Sequence, residues 1–420
     1  MSERLSLGRG FLSSLLMVIA FLGLASYSQF SSFKKEILSY VSSSSSSIVT
    51  AKTSLSPSNK TEPAIEQQSL QPDHPLYIAD IHRDAFAACL MVMDDNHRLA
   101  EWIPFHYFLM PLRHVVVLVD AKSSTSPKPV LDKWRPYMMI EEWTEDMLPT
   151  YSSRPFHSNV SDPGKATGQY IERQGVFYRA CATHLKEKYN TSWTSFHDVD
   201  EYFVFNSKYL PNNASTLMGQ PGSVLTTLRQ VREQMAKGLL PQNDNYNSPC
   251  VVTYRILYGA KESTAEEIAK DVPTNITIHP ERFETLRFRY HGGVQIGKSL
   301  FDLTHFKPNA ISTTANHYFH HHSVAGAHRL LPWCPTPWGK AEHYFHVHHY
   351  VGSWESYNSR KGDPRKNETS AQGKTLEKWQ ATAKLAQGPD DTIRPWISAF
   401  CQYMGPARAQ YLLSDVGRLN

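Results

Sequence analysis

Asp198-Val199-Asp200 sets two carboxylates two residues apart, directly after the apolar stretch Trp193–Phe196. Side chains two apart at a strand end point to the same side. Hard oxygen ligands placed in this way suit Mg²⁺ or Mn²⁺. An ion held there on a diphosphate neutralises the charge that develops on a departing nucleoside diphosphate. Asp-x-Asp alone is also an ordinary turn or a solvated loop. Here the pair follows an apolar strand and precedes Glu201 and the apolar run Tyr202–Phe205. A second group of polar residues, His317, His320, His321, His322, His343, His346 and His348, invites a zinc reading. Adjacent histidines on one strand point to opposite faces, so they cannot all bind one ion.

The elements around the pair read as an α/β domain beginning near Ala79. Phe86–Met93 is a short continuous apolar run, the mark of a buried parallel strand. Asp94-Asp95-Asn96 ends it, and Arg98–Leu109 reads as a helix stopped by Pro111. His114–Asp120 is a second buried strand, so strand, helix and strand form a βαβ unit. Met138–Glu141 is a third candidate strand. Further along, 168–188 and Val224–Met235 read as helices, and Val251–Tyr258 and Phe283–Arg289 as strands. Residues 374–386 and 395–411 read as helical, interrupted by Gly388-Pro389. A nucleotide could sit at the carboxyl ends of the first strands. Glu101 and Trp102 read as anchors of the first helix to the sheet.

The N-terminus differs in kind. Arg4 and Arg9 precede an apolar run from Phe11 to about Tyr27, long enough for a transmembrane helix with its basic end in the cytosol. A cleaved signal peptide ending near Leu24-Ala25-Ser26 is the alternative. Residues 1–10 then form a cytosolic tail, 11–28 a signal-anchor, 29–75 a flexible stem and 76–420 a luminal domain. The stem holds six serines, Ser42–Ser47, and Pro57, Pro63, Pro72 and Pro75; it has too little apolar surface to offset ordering entropy. Sequons at Asn59, Asn159, Asn190, Asn213, Asn275 and Asn367 point to the same compartment. The five cysteines, 89, 181, 250, 334 and 401, allow up to two disulfides and one leftover thiol, with no CxxC pair for a zinc–thiolate site. A formal net charge of +4, from 43 basic and 39 acidic residues, is too even for a nucleic-acid binder.

Several blocks resemble glycosyltransferase family 92. They are Cys89-Leu-Met-Val-Met-Asp-Asp-Asn-His-Arg-Leu-Ala-Glu101-Trp102-Ile-Pro-Phe-His106-Tyr107, Val117–Asp120, Gln174–Cys181, Trp193–Phe203, Gly297-Lys298-Ser299 and His348–Tyr357. They run in order from about Cys89 to Pro364. Val351-Gly352 stands where the family often has a basic residue. The resemblance implies a GT-A nucleotide-sugar transferase fold with a central, mainly parallel sheet flanked by helices. It also implies transfer of a hexose, galactose from UDP-galactose, to a glycan or glycoprotein acceptor in the Golgi, with inversion. In such folds a late histidine often completes the metal site, and His349 is the candidate; a core histidine bonded to a backbone carbonyl is the alternative. Asp120 or Asp95 would contact the uridine part of the donor, the alternative being a turn-forming Asp. Lys298 would meet the diphosphate, unless it is a solvated surface lysine. Inversion needs a carboxylate base for the acceptor hydroxyl. Glu355, beside the His-Tyr block, is the candidate, with Glu201 more suited to supporting the metal loop. A metal-dependent phosphate or sugar-ester hydrolase and a non-catalytic glycan-binding protein are the competing classes.

Overall fold

The protein was analysed as a computed structural model, which describes residues 85–148, 163–191, 193–210, 213–242, 244–247, 249–305, 343–361, 363–367 and 373–418. The chain divides into two compact units, residues 1–67 and 68–420, and every described residue belongs to the second. The tail, anchor and stem expected from the sequence lie outside the described residues, as do His317, His320, His321 and His322. No helix among the described residues is long and apolar enough to cross a membrane.

One mixed sheet organises the second unit. Its strands are β1 (Phe86–Val92), β2 (Leu112–Val119), β3 (Met139–Trp143), β4 (Trp193–Phe196), β5 (Glu201–Phe205), β6 (Cys250–Tyr258), β7 (Tyr290–Asp302), β8 (Phe345–Tyr350) and β9 (Gly388–Pro389). The order is β3-β2-β1-β4-β7-β6-β8-β5, with β9 on β7. β3, β2, β1 and β4 pair in parallel. Beyond β4 the sheet is mixed: β4–β7, β7–β6 and β8–β5 are antiparallel and only β6–β8 is parallel. The expectation of a mainly parallel sheet therefore holds for the first half alone. The second half is built by strands that return across the sheet, a long-range pairing that a local apolar pattern does not encode.

Helices of seven or more residues flank the sheet: α1 (Asn96–Leu109), α2 (Lys128–Trp134), α3 (Pro163–Tyr189), α4 (Ser223–Ala236), α5 (Leu376–Lys384), α6 (Pro395–Met404) and α7 (Pro406–Leu413). α1 is buried on all sides from His97 to Leu109. It contacts β2 and β5 inward and α6 and α7 outward, where Phe105 meets Trp396 and Phe108 meets Phe400 and Tyr403. α3 contacts β1, and its Phe177, Tyr178, Cys181 and Leu185 join Phe196, Val252 and Phe301 in one core cluster. The Cys89–Cys181 disulfide ties β1 to that helix, and Cys250 is also disulfide-bonded, while Cys401 is a buried thiol.

One expected strand is absent. Phe283–Arg289 instead holds a one-turn helix, Glu284–Arg287, after a 3-10 turn at Pro280–Arg282. The buried Glu101 carboxylate causes this by accepting the backbone N–H groups of Glu284 at 2.7 Å and Thr285 at 3.0 Å and the Thr285 hydroxyl. Phe283 and Leu286, three apart, are buried together, as a helical turn requires. Glu101 thus anchors this turn to α1 rather than α1 to the sheet.

The disulfide closes a 92-residue separation between two buried elements. Cys181→Ser should therefore cost about 2–5 kcal/mol in urea unfolding. A variant as stable as the wild type would show that the bridge contributes nothing to this core.

Candidate metal centre

The Asp198–Glu201 segment is a turn between β4 and β5, closed by Glu201 N–H donating to Asp198 O at 3.1 Å. Val199 is buried inside it, and Asp198 and Asp200 flank it with partly exposed carboxylates. The turn is anchored from below by His197, whose Nε2 lies 3.0 Å from Nε2 of the buried His106. His106 in turn bonds Trp102 O through Nδ1 at 2.8 Å. From the other side, Tyr350 N–H donates to Asp200 O at 2.9 Å. β5 and β8 pair with Glu201 opposite His349, so these two side chains share one face of the sheet.

Ligand atoms of Asp200, Glu201 and His349 all lie within 4.8 Å of one another. Asp200 Oδ2 accepts from Arg98 Nη1 at 2.7 Å and lies 3.8 Å from His349 Nε2. Its other oxygen, Oδ1, is buried and has no hydrogen-bond partner among the described residues. Leaving a buried carboxylate oxygen unpaired is costly; a cation at that position would remove the cost. Burial raises the Asp200 pKa, but the facing imidazole, in its protonated form, and Arg98 more than offset it and hold the carboxyl below the usual range. Burial, helped by Arg255 and Lys298, pushes His349 down to about 3, so its imidazole is neutral near pH 7, the form in which histidine ligates a metal. These three residues could hold a metal ion.

The structure brings together Asp198, Asp200, Lys298 and His349 from the sequence reading, in a different arrangement. Asp198 lies outside the three-ligand set; its carboxylate accepts from Lys298 Nζ at 3.0 Å and Gln174 Nε2 at 3.1 Å. Lys298 is fully buried, and its ammonium also lies 2.9 Å from Glu201 Oε2, so it neutralises the acidic turn rather than standing open to a ligand. Glu201, read as support for the loop, joins the three-ligand set and is itself held by Arg255 Nη1 at 2.8 Å. Asp95 ends β1 with Arg360 at 2.6 Å and Met93 N–H at 3.0 Å. Asp120 ends β2 with Arg173 and Lys122 N–H as partners. Glu355 is exposed on a one-turn helix, Trp354–Tyr357, capped by Ser353, and the helix start holds its carboxyl below the usual range. Among the described residues no hydrogen bond or ion pair joins it to Asp198, Asp200 or His349.

Arg98 and Arg255 are functional neighbours that the sequence reading did not pick out. Arg98 donates to Asp200, to Glu284 Oε1 at 3.1 Å, to Ser356 Oγ at 3.1 Å and to Val351 O at 2.8 Å. One signal was available: Arg255 is the one charged residue of β6 and Lys298 the one lysine or arginine of β7, and a cation buried in a sheet needs carboxylates across from it.

Two cavities are both lined by His97 and Glu355, and neither is lined by Asp198, Asp200, Glu201 or His349. One, of about 390 Å³, lies at the ends of β1 and β2 among Asp94, Asn96, Ser124, Thr125 and Lys361. The other, of about 150 Å³, lies among Arg282, Glu284, Phe288, Ser353 and Ser356.

Burial also holds His97, His106 and His348 at about 3, against an ordinary value near 6.5, so all three are neutral in the fold. Below pH 6.5 the unfolded chain takes up protons at these sites that the folded chain refuses until about pH 3. Folding stability should therefore fall with acidification across that window, by on the order of 5 kcal/mol from pH 7 to pH 5. Urea unfolding at the two pH values checks this; equal stability would mean that these rings are not buried neutral.

No protein-family model matches this chain, and no curated protein matches it in sequence. A solved structure to which it is similar is S. aureus TarS, residues 1–349, in complex with UDP, at 10% identity and a TM-score of 0.25, over 69% of this chain and 67% of that chain. At that TM-score the likeness carries no argument, and the fold and the site stand on their own geometry.

Proposed function

We propose that this chain is a metal-dependent glycosyltransferase that uses a nucleotide-sugar donor. The observation that carries the reading is the Asp200–Glu201–His349 set, with its unpartnered Asp200 Oδ1, on the turn that leaves β4. β4 belongs to the parallel half of the sheet. The chain order there reverses between β1 and β4: β1 leads through α1 to β2 on one side, while β4 lies on the other. In open α/β sheets a ligand binds at the carboxyl ends of the strands at such a reversal. The larger cavity lies at the neighbouring ends of β1 and β2, and its size suits a nucleotide.

In this reading the nucleoside lies near Asp95 and Asp120 at the ends of β1 and β2, and the diphosphate faces the metal centre. A bound Mn²⁺ or Mg²⁺ supplies charge stabilisation for the departing diphosphate. The acceptor hydroxyl oxygen bonds to the anomeric carbon from the face opposite the diphosphate. The carbon–oxygen bond to phosphate breaks, and that oxygen keeps the electron pair. The hydroxyl proton goes to Glu355, which is ionised near pH 7 and borders both cavities. By its resemblance to family 92 the donor is UDP-galactose, the product inverted and the acceptor a glycan or glycoprotein.

The proposed setting is the Golgi membrane, with 11–28 as a signal-anchor, 29–75 as a stem and the catalytic domain luminal. The disulfide-bonded Cys89, Cys181 and Cys250 and the exposed Asn190 and Asn275 of two sequons support an oxidising, glycosylating compartment. A two-metal hydrolase would need a second ligand set, and the described residues form one.

Asp200→Asn keeps the side-chain shape and an acceptor for Arg98 while removing the ligand charge. It should lower kcat/KM for the donor at least about a hundredfold with an unchanged circular dichroism spectrum. Mn²⁺ with UDP should raise the Tm of the wild type and not of the variant. A variant that turns over normally, or a wild type fully active in EDTA, would remove the metal from the mechanism.

A further inference from the structure

The acidic centre arrives already balanced by the chain's own cations. Lys298, fully buried on β7, places Nζ 3.0 Å from Asp198 Oδ2 and 2.9 Å from Glu201 Oε2. Arg255 on β6 places Nη1 2.8 Å from Glu201 Oε1. Arg98 on α1 places Nη1 2.7 Å from Asp200 Oδ2. Among the described residues, the turn's three carboxylates stand against three cations, of which Arg98 is shared with the buried Glu284 at 3.1 Å, so at most one net negative charge is left. None of these cations can turn out to solvent: the side chains of Lys298, Arg98 and Arg255 are 0%, 5% and 14% exposed.

That balance bears on what can enter. Charges a few ångströms apart and shielded from water interact far more strongly than in bulk solvent. A free divalent ion approaching Asp200 Oδ1 meets little net negative charge, and it must sit close to two or three fixed positive groups. A divalent ion carried on a nucleoside diphosphate is a different object. The complex carries phosphate charge of its own, which offsets at short range the repulsion that these fixed cations exert on the bare ion. The set of side chains is therefore matched to the complex and mismatched to the ion alone.

We propose that the centre takes up its metal as a metal–nucleoside diphosphate complex, and that Lys298 is the built-in counter-ion that keeps the free ion out. This rests on the nucleotide-sugar reading for the identity of the diphosphate, and not for the role of Lys298. Lys298 is a positioning residue in this account. It holds Asp198 and Glu201 in place and sets the local charge, so a metal ion is not stranded in the site when no donor is present.

The test is Mn²⁺ binding to the full chain, read by the loss of the free-Mn²⁺ electron paramagnetic resonance signal, with and without UDP. The wild type should bind Mn²⁺ at least about tenfold more tightly with UDP than without it. Lys298→Met removes the charge and keeps the stem; it should bind Mn²⁺ alone at least about tenfold more tightly than the wild type. The gain from UDP should shrink accordingly. Arg255→Met, at the edge of the cluster, should shift in the same direction and stands in if Lys298→Met fails to fold by circular dichroism. Variants that bind Mn²⁺ alone no more tightly than the wild type overturn the counter-ion role. A wild type that binds Mn²⁺ equally with and without UDP overturns the joint uptake. If UDP has no effect on any of the proteins while the variants still tighten, the nucleotide reading fails and the counter-ion role stands.

Discussion

Arg98 bears the heaviest electrostatic demand in this fold. Its guanidinium is buried on a helix that is itself buried on all sides, and it joins Asp200 after β4, Glu284 before β7, Val351 after β8 and Ser356 beyond it. A buried cation is tolerated only if every donor finds an acceptor and every nearby carboxylate finds a partner. The chain around it obeys that demand. Gly352 has φ +79°, and a Cβ there would meet Glu284 Oε1 at 2.3 Å and Arg98 Nη2 at 2.6 Å, so a larger residue would drive the pair apart.

The two halves of the sheet have different tasks. The parallel half, β3-β2-β1-β4, sets strand ends and α1 around a cavity. The mixed half, β7-β6-β8-β5, delivers Lys298, Arg255, His349 and Glu201 to one acidic turn. The turn between β4 and β5 connects them, because β4 lies in the parallel half and β5 at the far edge of the sheet. It is held from both sides, by His197 meeting His106 of α1 and by Tyr350 N–H from β8. The metal ligands are therefore positioned by strands and a buried helix rather than by a free loop, which is how a site keeps its geometry before its ligand arrives.

What the sequence discloses and what it hides follow from range. β1, α1, β2, β4, α4 and β6 are local apolar patterns, and each is visible as such. Asp200 drew notice as one of two carboxylates two apart after an apolar strand, and His349 only through the resemblance to a family block. The ion pairs were not. Arg98 is 102 residues from Asp200, Lys298 is 100 from Asp198 and Arg255 is 54 from Glu201. A lysine in a short Gly-Lys-Ser block reads as a surface or phosphate-facing group until the strand register turns it inward. The segment Phe283–Arg289 failed for the same reason: its apolar spacing allows a strand, and a carboxylate some 180 residues earlier, Glu101, makes it a helical turn.

The position of the metal decides the account. An anomalous difference map from crystals grown with Mn²⁺ and UDP is the most direct measurement. The account places a single strong peak bonded to Asp200 Oδ1 and a nitrogen of His349, with the diphosphate on its far side and Lys298 still between Asp198 and Glu201. A peak elsewhere on the protein, or UDP bound with no ion at Asp200, would contradict it.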